Sequence, residues 1–226
     1  FVYYEEPVCV AFADLHGEDM RQVLVTDVRV QQARADFVTR FLREIRVMLD
    51  DVGEAQGRHI PCAYLVPLGN SPSNLPPEIA ESGLATCLFN ALDVKSWISE
   101  GLVDYLILHL HVFKQHDGRE FQGRIREFTE LSRATSTRVM VDIYPRRMPP
   151  RQYRKVAASY YEAGADGLAF WDSYGRYYRA SEWAFVKRLG HRKDWPGGSE
   201  RDATTTASFP WRDWMVSSWA ANSRGP

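Results

Sequence analysis

Short apolar runs alternate with helical segments along most of the chain, and this alternation is the strongest constraint on its fold. The clearest example is residues 164–173, where Gly164 ends a helical segment and residues 168–170 form an apolar run. Trp171 and Asp172 follow directly. Strands that alternate with helices pair in parallel, because each crossover returns the chain to the same edge of the sheet. The pattern therefore predicts Trp171 and Asp172 at the carboxyl ends of the strands, where such folds bind ligands.

The same hydrophobic pattern predicts five strands, each followed by a helix. Residues 8–30 interrupt the pattern and are predicted to be irregular, with a short strand at 22–26. The predicted strands are residues 1–4, 60–66, 103–109, 138–144 and 168–170, and the predicted helices are residues 34–51, 94–100, 120–133, 150–163 and 181–189.

Two α/β architectures satisfy this order of elements. One is a short mixed α/β sheet, and the other is the last five βα units of an eight-stranded (β/α)8 barrel of the TIM type. The barrel also explains why the sequence starts within a strand, so we predict it. Residues 1–190 are then the C-terminal portion of the barrel, and residues 191–226 are a tail or a covering segment. The missing first strands would come from the same precursor or from a partner chain.

Composition excludes several classes of function. The 226 residues carry a formal net charge of −1 with mixed signs, which gives no reason to expect a nucleic acid or an anionic membrane as partner. The longest apolar runs are too short to cross a bilayer. Cys9, Cys62 and Cys87 form no CxxC motif and cannot all pair, so we expect neither a disulfide framework nor a zinc site, and no cofactor.

Several segments resemble a known family, the glycoside-hydrolase-like family-10 domain. The most specific is Asp-Val-Lys-Ser-Trp-Ile-Ser-Glu-Gly-Leu-Val-Asp-Tyr-Leu-Ile at residues 93–107. Residues 141–147 and 164–172 are similar to the last two strands of that family, and residues 39–46 to the helix after its fourth strand. One motif departs from the family pattern: the register set by Pro7 places Val2 and Glu5 where the family usually has Asp and Arg.

The resemblance implies a TIM barrel related to glycosidases, with a carbohydrate as substrate. It also suggests a secreted or periplasmic location. Because the fourth-strand motif departs from the family, the resemblance assigns no catalytic role at that strand.

Glycoside hydrolysis needs two carboxyl groups, about 5–5.5 Å apart in retaining enzymes and about 6.5–9.5 Å apart in inverting ones. We predict that Glu5 or Glu6 is the general acid and that Asp142 or Asp172 is the nucleophile or base. Strand alternation allows only one of the two glutamates to point inward, and it does not decide which. The alternative is a surface glutamate pair, with an aspartate that neutralises the nearby Arg146 or Arg147.

Two histidines on the third predicted strand, His109 and His111, share a face and invite a metal site. No second histidine cluster completes such a site, since the other histidines are scattered. We therefore predict no metal, and expect these histidines to bind substrate or to pack at the rim.

Aromatic side chains near the predicted strand ends suit the flat faces of sugar rings. Core packing is the alternative for about half of them. An arginine near one strand end suits a carboxylated or sulfated sugar. The predicted substrate-binding set is Tyr4, His109, His111, Tyr144, Arg146, Trp171, Asp172 and Tyr174.

These predictions together describe a glycoside hydrolase that acts on a poly- or oligosaccharide through paired carboxylates. One alternative is a barrel that binds carbohydrate without catalysis. A metal-dependent hydrolase is a third hypothesis.

Overall fold

A computed structural model describes residues 4–68, 75–110, 116–143 and 150–169. Within these ranges the chain is a mixed α/β structure with a parallel sheet. A 3-10 turn at Met20–Gln22 precedes the second helix, and another at Arg119–Phe121 precedes the sixth. The elements are helices α1 (Glu6–His16) and α2 (Val28–Gln56), strand β1 (Ala63–Pro67), helices α3 (Pro77–Glu81), α4 (Gly83–Phe89) and α5 (Val94–Ser99), strand β2 (Tyr105–His109), helix α6 (Gln122–Ser132), strand β3 (Arg138–Asp142), helix α7 (Pro150–Glu162) and strand β4 (Gly167–Ala169).

The prediction of a partial (β/α)8 barrel is wrong. Among the described residues the sheet has four parallel strands in the order β1-β2-β3-β4. Its first strand lies where the second strand was predicted, and the described residues before it contain helices α1 and α2. The last predicted helix and the boundary at residue 190 lie outside the described residues.

Helix α1 and the 3-10 turn at Met20–Gln22 occupy part of residues 8–30, where an irregular stretch with a short strand at 22–26 was predicted. Pro7 stands in the first turn of α1, where the missing N–H costs nothing, and Glu6 places negative charge near the positive end of the helix. Gly17, at φ 71°, ends the helix with its N–H bonded to the Ala13 carbonyl. These signals favour a helix. The first predicted strand, at residues 1–4, lies almost wholly outside the described residues.

Two aspartates that precede strands bind the neighbouring strand in the same way. The Asp104 side chain accepts a hydrogen bond from the Cys62 backbone N–H at 2.7 Å, and the Asp104 N–H donates to the Cys62 carbonyl at 2.8 Å. Asp166 makes the same two bonds with Val139, at 2.7 and 2.8 Å. Each aspartate therefore sets the register of its strand, because it binds both backbone groups of one neighbouring residue.

The Asp104 carboxylate also contacts the side chains of Arg46 and His59. The Nη1 of Arg46 lies 3.2 Å from one oxygen, and the Nε2 of His59 lies 2.6 Å from the other. Burial opposes ionisation of Asp104. The hydrogen bonds from Cys62 and His59, together with the charge of Arg46, outweigh burial and hold the pKa of Asp104 below its usual range.

The segment that resembles the glycosidase-related family packs α5 and β2 onto the rest of the fold. Asp93 caps α5 by accepting from the Ser96 N–H at 3.2 Å. The Trp97 ring is fully buried, and its Nε1 donates to Thr39 Oγ1 of α2 at 2.9 Å. Glu100 forms two bonds of 2.6 and 2.7 Å with the guanidinium of Arg43. The segment therefore serves packing and capping.

The two faces of the sheet are covered differently. Alternate strand residues point to opposite faces. Leu65 is exposed on one face, and Ile107 and Met140 of that face are partly exposed. His109 and Asp142 stand at the carboxyl end of this same face. The fully buried face carries Val66, Leu106, Leu108, Val139 and Val141.

Removal of the Asp104 carboxylate tests its role in setting the register. Asp104→Ala leaves the Cys62 N–H without its acceptor, so we expect a loss of about 1–3 kcal/mol in the free energy of unfolding. Asp166→Ala is expected to cost less, because Asp166 is more exposed and binds fewer groups. Urea denaturation measures both. The control is Asp14→Ala on the exposed side of α1, and an equal effect of all three substitutions would contradict this role.

The lowered pKa of Asp104 predicts a pH dependence of stability. Because the pKa in the folded state lies below that of the unfolded chain, the stabilisation is fully present above the unfolded value of about 3.9. It is lost as the pH falls through the folded value. The difference in unfolding free energy between the unmodified protein and Asp104→Ala should therefore be constant near neutral pH and shrink below about pH 4. A difference that grows on acidification would contradict the account.

Candidate functional site at the carboxyl ends of the strands

Strands β2 and β3 end in two polar residues that the register places side by side. Tyr105 pairs with Arg138, and Leu108 pairs with Val141. The next paired positions are His109 and Asp142. Side chains at paired positions of neighbouring strands point to the same face. The chain order of the two strands therefore brings these side chains together.

His109 and Asp142 form a buried hydrogen-bonded pair. The distance between His109 Nδ1 and Asp142 Oδ2 is 2.7 Å, and the two residues are 3% and 1% exposed. A carboxylate in its ionised form only accepts hydrogen bonds, and opposite that form the Nδ1 atom is the donor of this bond. In the neutral ring the lone pair then resides on Nε2, as in a histidine that acts as a general base.

The second oxygen of Asp142, Oδ1, is buried and finds no hydrogen-bond partner among the described residues. The same holds, within those residues, for the buried hydroxyl of Tyr160 on α7. Buried polar atoms without partners are rare in folded proteins, because each forfeits its hydration. The unpartnered Asp142 oxygen marks this end of the sheet as the place to look for a ligand.

A small aromatic group stands near the start of α6 and beside α7. The ring of His116 meets Phe121 edge-on, with 5.2 Å between centroids, and lies nearly parallel to Tyr160 at 6.4 Å. Gly118, at φ 84°, leaves room for the Tyr160 ring, because a Cβ there would lie 3.1 Å from Tyr160 Cε1. The carbonyl of His116 accepts a bond from the Gln152 side-chain amide of α7.

Burial raises the pKa of Tyr160, and the carboxylates of Asp142 and Glu120 raise it further. The phenol is therefore a neutral donor at physiological pH. No sequence signal singled out Tyr160, because its position on a helix face is typical of ordinary core packing.

Arg124 of α6 binds the chain just after β1 and the chain within α3. Its Nη1 donates to the Leu68 carbonyl at 3.0 Å, and its Nη2 donates to the Ala80 carbonyl. The Leu68 N–H in turn donates to the His109 carbonyl at 2.8 Å. One arginine on α6 thus ties the chain after β1 to the end of β2, beside the histidine.

The structure places the predicted glutamates elsewhere. Glu5 precedes α1 and Glu6 begins it; both are exposed, and Glu6 pairs with Arg21 at 2.6 Å. Tyr4 is exposed just before them. Helix α1 packs on α2 in a small hydrophobic cluster separate from the core around the sheet, whereas Asp142 ends β3.

The remaining predicted site residues lie outside the described part of the chain. They are His111, Tyr144, Arg146, Trp171, Asp172 and Tyr174.

Within the described ranges, no group of three or more His, Cys, Asp or Glu side chains is arranged to hold a metal ion. Among the same residues, no helix has the length and apolar character needed to cross a membrane. The three cysteines are free thiols, and burial raises the pKa of both Cys62 and Cys87.

Comparison with protein-family models gives no match, and a search of curated proteins finds no relative.

A double-mutant cycle tests the coupling in the buried pair. His109→Leu leaves the Asp142 carboxylate buried without its partner, and we expect it to cost about 3–5 kcal/mol of unfolding free energy. The double variant His109→Leu, Asp142→Leu removes both polar groups, so its cost should be well below the sum of the two single costs. Urea denaturation gives all three values. Costs that simply add would contradict a direct interaction.

Proposed function

We propose that this protein is a hydrolase that acts on a poly- or oligosaccharide at the carboxyl ends of β2 and β3. The observation that carries the proposal is the buried His109–Asp142 pair, in which one carboxylate oxygen binds the imidazole and the other has no partner in the described part of the chain. Parallel α/β sheets bind their ligands at this edge. The choice of a sugar as substrate follows the resemblance of residues 93–107, 141–147 and 164–172 to the glycosidase-related family.

In this proposal His109 transfers the proton, and Asp142 positions the imidazole ring of His109. The carboxylate fixes the ring through Nδ1, and Nε2 is the atom that would accept a proton from water or a substrate hydroxyl. As the ring becomes an imidazolium, the adjacent negative charge stabilises it, since the pair is shielded from solvent. Asp142 is thus a positioning residue, and His109 is the acid–base group.

This division of roles differs from the mechanism predicted with Glu5 or Glu6 as the acid. Those glutamates are exposed on α1, and Asp142 is already bonded to an imidazole. Burial and hydrogen bonding are the means by which proteins adapt a group to acid–base work. Both features favour His109 over the exposed glutamates.

The test is a screen of the full chain on neutral, carboxylated and sulfated polysaccharides, followed by assay of reducing-sugar release. His109→Asn and Asp142→Asn should each lower kcat by about 100-fold or more, because acid–base and positioning groups contribute on this scale. Glu5→Gln and Glu6→Gln serve as controls and should keep full activity. Circular dichroism confirms that each variant folds.

Three outcomes would contradict the proposal. The first is the absence of released sugar from every substrate, including those that the protein binds. The second is full activity of folded His109→Asn. A third is loss of activity in Glu5→Gln or Glu6→Gln with no loss in the His109 variant, which would restore the paired-carboxylate mechanism.

A further inference from the structure

One row of side chains crosses the carboxyl end of the sheet, and the His109–Asp142 pair lies at its centre. The register pairs Pro67 of β1 with His109, and Asp142 with Ala169 of β4. Side chains at paired positions of neighbouring strands point to the same face. Within this row the buried pair is therefore flanked by a proline ring on one side and by a methyl group on the other.

The two oxygens of Asp142 face in different directions. Oδ2 lies 2.7 Å from Nδ1 of His109, on the side of β2. The other oxygen of the planar carboxylate, Oδ1, is therefore directed away from His109, and the paired position on the far side is Ala169 of β4. Oδ1 is buried and has no hydrogen-bond partner among the described residues. The methyl group of Ala169 cannot supply one.

The methyl group of Ala169 borders space that its own strand leaves open. Ala169 is partly exposed, although Asp142 beside it is 1% exposed. The preceding residue of β4 on the same face is Gly167, and Met140 fills the place of its missing side chain, because a Cβ at Gly167 would lie 2.5 Å from Met140 Cε. A small group that enters beside Ala169 thus has an apolar floor formed by Met140 and the Asp142 carboxylate at its side.

The group that fits Oδ1 must be a hydrogen-bond donor without negative charge. An ionised carboxylate only accepts hydrogen bonds, and a buried acceptor that stays unsatisfied costs free energy. Among the described residues, the salt bridge that Asp142 makes is with His109. A hydroxyl group supplies a donor and adds no charge. A carboxylate or sulfate group supplies no donor in its ionised form, and it would place a second negative charge beside a buried one.

We propose that Oδ1 of Asp142 binds one hydroxyl group of a neutral sugar, that this hydroxyl enters beside Ala169, and that the contact selects neutral sugars over carboxylated or sulfated ones. The inference rests on the proposed function and extends it, because it names the substrate class and makes Ala169 a specificity-determining position. Sites built to bind a substrate hydroxyl discriminate strongly against ligands that lack it, since the buried partner is then left unpaired.

Ala169→Ser tests the acceptor in the free protein. Variants of Asp142 cannot do so, because the other oxygen of its carboxylate binds His109. Neighbouring strands lie about 4.8 Å apart, so the added hydroxyl can reach Oδ1. It should lower the equilibrium constant of unfolding by about tenfold or more, the scale of a hydrogen bond to a charged group. Urea denaturation measures the change. The matched control is Ala63→Ser, the same substitution at the amino end of this face, which should have little effect.

The same substitution should weaken substrate binding, since the added hydroxyl occupies the acceptor that the sugar needs. We expect KM to rise by about tenfold with kcat nearly unchanged, which is the pattern of a lost binding contact, whereas His109→Asn lowers kcat. Ala169→Val fills the space without supplying a donor and should also raise KM. Ala63→Ser should keep both constants. Reducing-sugar release by the full chain from the neutral polymer that it cleaves fastest gives the two constants.

Matched polymers test the choice of substrate class. Each neutral polymer of the screen is compared with its own sulfated derivative, as dextran is with dextran sulfate. The full chain should cleave the neutral member of a pair at least about tenfold more efficiently, in kcat/KM, than the sulfated member, because like charges in a buried site repel strongly. Circular dichroism checks that every variant folds.

The inference fails on any of three results. If Ala169→Ser is no more stable than Ala63→Ser, Oδ1 has a partner elsewhere in the chain or is closed to a donor from β4. Equal or higher activity on the sulfated polymers overturns the choice of neutral sugars and favours recognition by Arg146. A loss of kcat in Ala169→Ser as large as in His109→Asn shows a disturbed acid–base pair rather than a lost binding contact.

Failure of the proposed function itself looks different. Release of sugar from none of the polymers contradicts that function, and the selection of neutral sugars falls with it. The unfolding measurement on Ala169→Ser still decides whether Oδ1 accepts a hydrogen bond from the side of β4.

Discussion

The in-register pairing of β2 with β3 is the constraint on which the candidate site depends. A shift of one residue would turn one partner to the opposite face of the sheet and separate His109 from Asp142. Hydrogen bonds at the amino ends of the strands hold this register. The Arg138 N–H donates to the Asp104 carbonyl, and the Thr137 hydroxyl donates to the Val103 carbonyl, each at 2.8 Å. The same Asp104 binds Cys62 on the other side, so one residue connects three strands where they begin.

The site is held in place by a carboxylate that is costly to bury. Asp142 is almost fully buried, and within the described ranges one of its two oxygens has a partner, His109. Proteins retain such groups where the arrangement serves a ligand or a reaction, since an apolar side chain would be more stable at the same position. Because both residues are buried, their hydrogen bond is electrostatically stronger than it would be in water.

Sequence patterns located many of these elements but could not connect them. Alternating apolar runs indicated strands at β1 to β4, and both His109 and Asp142 were recognised as polar residues at strand ends. Their hydrogen bond could not be predicted, because it requires the register between two strands, which the sequence does not state. The prediction treated the histidine as a partner of His111 and the aspartate as a partner of Glu5 or Glu6.

The predictions of the barrel and of the role of residues 93–107 were drawn from local sequence motifs. Pro7 was interpreted as the end of a strand, although proline also begins helices, so the residues of α1 were predicted to be irregular. The barrel followed from extending the alternation of strands and helices beyond the sheet, which has four strands among the described residues. The resemblance at residues 93–107 also directed attention to function, while Trp97 and Asp104 serve to pack α5 and to fix β2.

The most direct test of the central claim is the protonation of the His109 ring, measured by nitrogen-15 nuclear magnetic resonance at neutral pH. The account predicts a proton on Nδ1 that is shielded from exchange with water, because Asp142 accepts its hydrogen bond in a buried setting. In Asp142→Leu this protection should disappear. A ring whose Nδ1 carries no proton in the unmodified protein would contradict the account, since Asp142 would then not be the group that orients the histidine.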